Sequence, residues 1–464
     1  MTPTSWKTKN RGNLTFDPKL LKLIDVMTDN ITKKFSVGDS IYALASRLWP
    51  FNRSLTGNGV RETLQELKSL LPNLQIHEVP SGTSVFDWTI PNEWNVREAW
   101  VEAPDGRRVV DFAVNNLYLV GYSVPVEATL SLEELQQHLH SLPDQPDAIP
   151  YATSYYSPHW GFCMRHSDRL KLEPGNYRVR VDATLEPGYL TYGEMLIKGE
   201  TSEEVFLSTY ICHPSMANNE LSGPCVTAYL AKWLSEQAKL HYTYRLVFIP
   251  ETIGSITYLS RHIEHLKQHV IAGFVVTCIG DDRCYSYLPS RSGNTLSDKA
   301  ALHVLKHQAP DFKRYSYLDR GSDERQYCAP GVDLPMATVM RSKYAEYPEY
   351  HTSLDDLSLI TPKGLEGGYT ALLKAIEVIE HNCMPQVTVL GEPQLGRRGL
   401  YATSLSTKSS GEAMRVMMDL IAYSDGLHSL LDIAEIIGVP MWELIPVYTK
   451  LKEQGILLDQ NRSS

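Results

Sequence analysis

The order of apolar runs predicts an α/β protein built on a largely parallel sheet covered by helices on both faces. Two observations carry that expectation. From Gly193 onward, strand-like and helix-like runs alternate: strand 205–212, helix 225–234, strand 244–249, helix 253–265, strand 273–279. Such alternation is the pattern of parallel strands joined by crossover helices. Polar residues able to do chemistry also fall just past those strands: His213 after the first, Glu251 after the second, Asp281 and Asp282 after the third. Open α/β sheets gather ligands at the carboxyl ends of their strands, so these positions are favoured over positions inside an element.

With 464 residues, the chain has room for two or three domains with sizeable cores. Residues 1–36 are polar, although 20–31 have helical spacing. Ile41, Leu44, Ala45 and Leu48 form one face of a helix that Pro50 stops, and Leu64, Leu67 and Leu71 form the face of a second. The loop between them holds Asn52, Arg53, Gly57 and Gly59, which reads as a helix connection or the edge of a binding pocket. Residues 74–79 alternate as a strand.

Between 84 and 172 the composition changes. The segment is rich in aromatics (Trp88, Trp94, Trp100, Tyr155 and Trp160 among them) and contains the proline-rich run 142–150. We read it as a small β-rich domain inserted into the main one, with the loop from Tyr155 to Trp160 as a candidate substrate wall. Residues 1–83 and 173–400 then form one discontinuous α/β domain. From 408 to 464, three helical patterns, a glycine turn at Gly438 and a final apolar run predict a winged helix-turn-helix domain after a linker at 395–410.

Charge narrows the function classes. The net charge is −10, and from Gly411 to Asp459 there are three basic residues against eight acids. Phosphate contacts require the opposite sign, so DNA binding is not expected, and a protein-contact or dimerisation role, the latter making the chain a homo-oligomer, is expected of the terminal module. No apolar run is long enough for a membrane helix, and the N-terminal residues lack a signal core. Seven cysteines without a CxxC pair read as reduced thiols, which predicts a cytoplasmic protein.

His213, Glu251, the Asp281/Asp282 pair and His351 together supply imidazole and carboxylate at successive strand ends and in a late polar loop, the ingredients of a zinc site with a carboxylate base. Their order resembles the co-catalytic zinc aminopeptidases over roughly 36–80 and 173–390. Four longer strings, 48–57, 213–224, 250–255 and 350–356, resemble a bacterial group of aminopeptidase-like proteins with an inserted β domain and a C-terminal winged helix, often associated with polysaccharide biosynthesis. The resemblance implies a zinc-aminopeptidase-like mixed sheet. It also implies metal ligation by His213, Asp281 or Asp282, and His351, with Glu251 as general base.

Two departures emerge on aligning at Ser222-Gly223. Asn219 stands where the peptidases place an aspartate bridging two zincs, with Glu220 beside it as a candidate replacement, and Thr252 stands where a second glutamate binds metal. Losing two carboxylates from a site meant for +4 charge leaves the expectation of one zinc ion per chain. Arg325 or Tyr327 is expected to dock substrate or stabilise an oxyanion. The reading is a zinc-dependent amide or peptide hydrolase acting on a small peptide-like or aminoacyl substrate. The alternative is a catalytically altered protein that binds an amino-acylated or carbohydrate ligand, and a DNA-linked regulator rests on the terminal module alone.

Overall fold

The computed structural model describes residues 36–155, 157–400 and 408–460; the helical spacing at 20–31 lies outside them. In chain order, the elements that position the site begin with α1 (Val37–Leu48), α2 (Asn58–Leu70) and β1 (Gln75–Pro80). The inserted segment contributes β2 (Glu93–Glu102), β3 (Arg108–Asp111) and β4 (Val126–Ser131), followed by β5 (Asn176–Glu186). Next come β6 (Tyr189–Ile197), β7 (Glu204–Tyr210), α3 (Ser222–Ser235), β8 (Thr243–Ile249), α4 (Ile253–His269) and β9 (Val270–Val275). The C-terminal part has β10 (Ser286–Leu288), α5 (Leu296–Gln308), β11 (Lys313–Arg314), β12 (Met336–Met340), α6 (Pro362–His381), β13 (Pro385–Val387), α7 (Lys408–Tyr423), α8 (Leu430–Ile437), α9 (Met441–Glu453) and β14 (Leu457–Asp459).

The main sheet has eight strands in the order β1-β6-β8-β7-β9-β12-β10-β11. Its centre is parallel, β7 pairing with both β8 and β9, while β1 and β6 run antiparallel to their neighbours and β10 runs antiparallel to β12 but parallel to β11. Every residue of β7 and β8 is buried, as expected of central strands covered on both faces. Because β7 and β8 are parallel and in register from Glu204 with Thr243 to Tyr210 with Ile249, their carboxyl ends leave the sheet side by side. His213 and Glu251 come just after those two ends.

The run at 177–184, read as part of the main domain, lies elsewhere. It is the long strand β5, which pairs with β2 and β4 in a separate antiparallel sheet of order β3-β2-β5-β4. Its burial alternates, as a strand with one packed face requires, and that alternation is the same in either sheet. The terminal module also departs from expectation. Its last strand, β14, pairs with β13 at 385–387, upstream of the linker expected at 395–410. Leu420, Leu430, Leu431 and Leu444 join the same buried apolar cluster as Val304, Leu305, Ile376 and Ile379, so the winged helix is packed onto the main domain.

Helix α6 shows how tightly the site's scaffold is packed. Thr361 caps it by accepting the Gly364 N–H, and Pro362 occupies its first turn. A Cβ on Gly364 would run into the carbonyl oxygens of Gly280 and Asp281. Backbone is hard to displace, so Gly364→Ala is expected to lower unfolding free energy by about 1–3 kcal/mol, an overpacking cost. Urea denaturation measures this, and an unchanged midpoint would mean that the contact relaxes freely.

Candidate functional site

Beyond the carboxyl ends of β7 and β8 lies a cleft of about 430 Å³. His213, Glu251, Thr252, Arg325 and His351 line it, together with Trp88, Tyr151 and Tyr155 from the inserted segment. Tyr155, in the loop expected as a candidate substrate wall, lines the cleft, and Tyr156 lies outside the described residues.

His213 is buried and held from behind. Its Nδ1 lies 2.9 Å from Glu220 Oε2, and the other oxygen of Glu220 lies 3.5 Å from Arg53 Nε. Arg53 donates to the carbonyl oxygens of His213 (3.0 Å) and Leu48 (2.7 Å), tying the end of α1 to the turn that carries the histidine. A carboxylate on Nδ1 fixes the tautomer with its proton there and leaves Nε2 as a lone pair. Nε2 points into the cleft, 3.7 Å from Glu251 Oε2. Burial works against an imidazolium at His213, but the hydrogen bond to Glu220 and the Glu220 and Glu251 charges together outweigh it, and the pKa is raised.

Glu251 receives no comparable support. Burial raises its pKa, opposed by the His213 and Arg325 charges, so its carboxylate is more basic than an ordinary glutamate's. His351 sits in the left-handed region at φ 57°, with its ring stacked on Tyr350 at 3.9 Å. Its Nε2 is buried without a hydrogen-bond partner, and burial, followed by the His213 charge, holds its pKa down to about 3. The two histidine rings are 5.5 Å apart, and Tyr151 stands 5.1 and 5.2 Å from them. The Tyr151 N–H donates to the His351 carbonyl, and Ser353 exchanges hydrogen bonds with Ile149, so the inserted segment braces the histidine loop.

Five of the expected residues, Asn219, Glu220, Asp281, Asp282 and Tyr327, do not line the cleft. Asp281 is a structural carboxylate: Arg283 N–H and Ser342 Oγ–H donate to one oxygen, Asn218 Nδ2–H and Ser342 N–H to the other. Asp282 is exposed in the following turn. Tyr327 is fully buried against Phe206 with its hydroxyl on Ser208 Oγ at 2.8 Å, whereas Arg325, on the same short helix, does reach the cleft. Glu220 faces the far side of His213.

Asn219 is buried, its Oδ1 accepting from the Tyr210 hydroxyl and its N–H donating to Asp355, while Nδ2 has no partner. Thr252 donates its N–H to Asp323 and accepts from Arg325. Asp355 accepts the N–H groups of Ala217, Asn218 and Asn219 and the Tyr347 hydroxyl, which holds the turn after β7 in place.

Among the described residues, the trios whose donor atoms lie within 4.8 Å of one another are Cys212–His213–Glu220 and His303–His307–Glu435. The first is a hydrogen-bonded cluster, since Glu220 occupies Nδ1 and burial drives the Cys212 thiol pKa well up. His351 belongs to neither trio. Tyr151 and Asp323 carry no local sequence signal for a place at the site, and Asp355 has only its position in the string 350–356. Arg53 has only the polar loop that reads as a pocket edge, and Tyr151 stands just ahead of the loop expected as a wall.

A mixed sheet that presents a histidine and a glutamate from adjacent parallel strands, with a second histidine from a late loop, defines an aminopeptidase-like α/β protein. The chain belongs to the family described as a domain of unknown function, DUF4910, which matches residues 42–382, and a winged helix-turn-helix match follows over 383–459. A Clostridium acetobutylicum protein, provisionally named a polysaccharide biosynthesis protein with aminopeptidase-like domain, is 44% identical over 405 residues, covering 87% of this chain and 92% of the relative. A crystal structure from the same organism, described provisionally as a peptidase, superimposes with a TM-score of 0.86 at 40% identity, covering 95% of this chain and all of that one. A zinc aminopeptidase from Bacillus subtilis shares the fold at 12% identity and a TM-score of 0.53, over 74% of this chain and 94% of its own. Among the described residues, no helix is long and apolar enough to cross a membrane.

Proposed function

We propose that the cleft hydrolyses an amide bond of a small aminoacyl or N-acyl substrate with one divalent metal ion, zinc by the donor chemistry, and Glu251 as general base. The observation that carries this reading is the pairing of two imidazoles, the His213 ring with Nε2 turned into the cleft and the His351 ring with Nε2 unpartnered, with a carboxylate made more basic by burial, all lining one cleft.

The donor set at the cleft supports the reading of one ion over that of two. Asn219 and Thr252 are neutral, and Asp281 has both oxygens filled. The ion would be held by His213 and His351, where it supplies Lewis-acid polarisation of the scissile carbonyl. Glu251 takes the proton from the attacking water and returns it to the leaving amine. Glu220 and Arg53 keep the His213 tautomer fixed during this exchange. Arg325 provides positive charge at the rim for a substrate carboxylate, and Tyr151 and Tyr155 form an apolar wall that excludes water.

Zinc content measured on protein purified without chelator is expected to be about one per chain, and His213→Ala and His351→Ala are each expected to lose most of it. Full metal content in both variants would reject the ligand assignment. The neutral residues at 219 and 252 favour a second reading, in which the cleft binds its ligand without turnover; bound zinc with no hydrolysis of any amide offered would select it. The name of the Clostridium relative supports a role in polysaccharide biosynthesis, and the seven free thiols support a reducing, cytoplasmic setting. The acidic winged helix is read as a protein-contact module, including contact with a second copy of the chain, and not as a DNA reader.

A further inference from the structure

We infer that the junction between the main domain and the winged helix is a second ligand site, for a small organic anion that carries a phosphate or carboxylate group on an apolar ring or chain. A cavity of about 450 Å³, as large as the cleft, opens between α5, the segment leading into β11, and α8. Ligand sites of a few hundred cubic ångströms with apolar walls and a few fixed polar groups are the common form. Here Leu302, Phe312 and Leu431 supply the apolar wall, and Lys299, Lys306 and Arg314 the cations.

The charges are unequally engaged. Lys306 is committed to Glu435 at 2.7 Å. Lys299 lies 3.9 Å from Asp432, beyond hydrogen-bond distance, and Arg314 has no ion pair among the described residues, its guanidinium lying 5.7 Å from the Phe312 ring centroid. Arg314, beside the Phe312 ring, and Lys299, held only by a long contact to Asp432, line the same cavity and are thus available to an anion, and Phe312 is placed to meet its apolar part.

The cavity is preformed. His303, fully buried on α5, accepts the Met441 N–H on Nε2 and meets Glu435 with Nδ1, and Lys306 grips the same glutamate, so α8 and α9 are fixed against α5. The same bonds argue against a metal at the neighbouring His303, His307 and Glu435. With Nε2 accepting from a backbone N–H, His303 must carry its proton on Nδ1, and neither nitrogen offers a lone pair without breaking the junction. Binding therefore rests on charge and apolar contact, and an occupant would bridge the two modules. This site is independent of the hydrolytic reading of the cleft.

Calorimetric titration of the full-length chain tests it, with phenyl phosphate and benzoate as the two kinds of anion and with inorganic phosphate and phenol as controls for charge alone and ring alone. The expected result is saturable binding of phenyl phosphate or benzoate, at least tenfold tighter than either control. Arg314→Gln and Lys299→Gln, both at exposed side chains, should each weaken that binding by about tenfold, the loss of one charge-assisted contact. Absence of saturable binding by both anions, affinities no better than the controls, or unchanged affinity in both variants would overturn the proposal.

Discussion

Glu251→Gln is expected to lower amide turnover by on the order of 10²- to 10⁴-fold while leaving the zinc content of the protein unchanged, because it removes proton acceptance and little else. The amide is nearly the same size as the carboxylate, and the backbone contact of residue 251, its N–H to Cys212 Sγ at 3.2 Å, does not involve the side chain. Burial raises the pKa of Glu251, so a proton arriving from water finds a stronger base than an exposed glutamate would offer. The measurement is a screen of aminoacyl and N-acyl amides with zinc-loaded protein, repeated with the variant. Equal turnover at equal zinc content would eliminate Glu251 as the base. A fall in zinc content that accounts for all of the lost rate would make it a metal ligand instead, leaving the site without a base of its own.

The strands that deliver His213 and Glu251 are legible in the sequence because their residues are almost continuously apolar, as burial on both faces demands. The turns just past the strands are less legible. Asp281 stands where a ligand would, but its oxygens are filled by Asn218, Arg283 and Ser342, and the contacts with Asn218 and Ser342 join residues more than fifty positions apart and leave no local trace. Tyr327 and Arg325 illustrate the same limit at short range. Two residues apart on a one-turn helix, they face opposite ways, and only packing against Phe206 decides which one enters the core.

Domain limits are harder to read than chemistry. The strand at 176–186 has the same alternation whether it completes the inserted sheet or the large one, so its partner is set by register with β2 and β4 and not by its own residues. The glycine-, serine- and lysine-containing stretch at 395–410 has the composition of a linker, yet the wing strand β14 reaches back to 385–387 for its partner. The match to the winged-helix family accordingly starts at 383. Arg53 is the least visible of all. Nothing in a polar loop between two helices announces that its guanidinium will be wholly buried beneath a histidine.

That burial sets the second large effect. Arg53→Met is expected to lower the unfolding free energy by about 3–5 kcal/mol, since it strands a buried carboxylate whose compensating charge is gone. Both side chains are fully excluded from water, with Arg53 Nε and Glu220 Oε1 3.5 Å apart. Burial pulls the Arg53 pKa down and the Glu220 charge works to restore it, so the pair is stable only as a pair. Removing the cation also frees the carbonyl oxygens of Leu48 and His213, which loosens the link between α1 and the turn that aims the imidazole. Neutralising both partners in Arg53→Met/Glu220→Gln should recover part of the loss, because an amide can still accept from His213 Nδ1–H without leaving an uncompensated charge. Denaturant titration of the two single variants and the double variant measures the coupling. If Arg53→Met costs less than about 1 kcal/mol, the range of an exposed ion pair, the arginine does not carry the turn. If the double variant is no more stable than the Arg53 single variant, the loss comes from the freed carbonyl groups and not from the stranded charge.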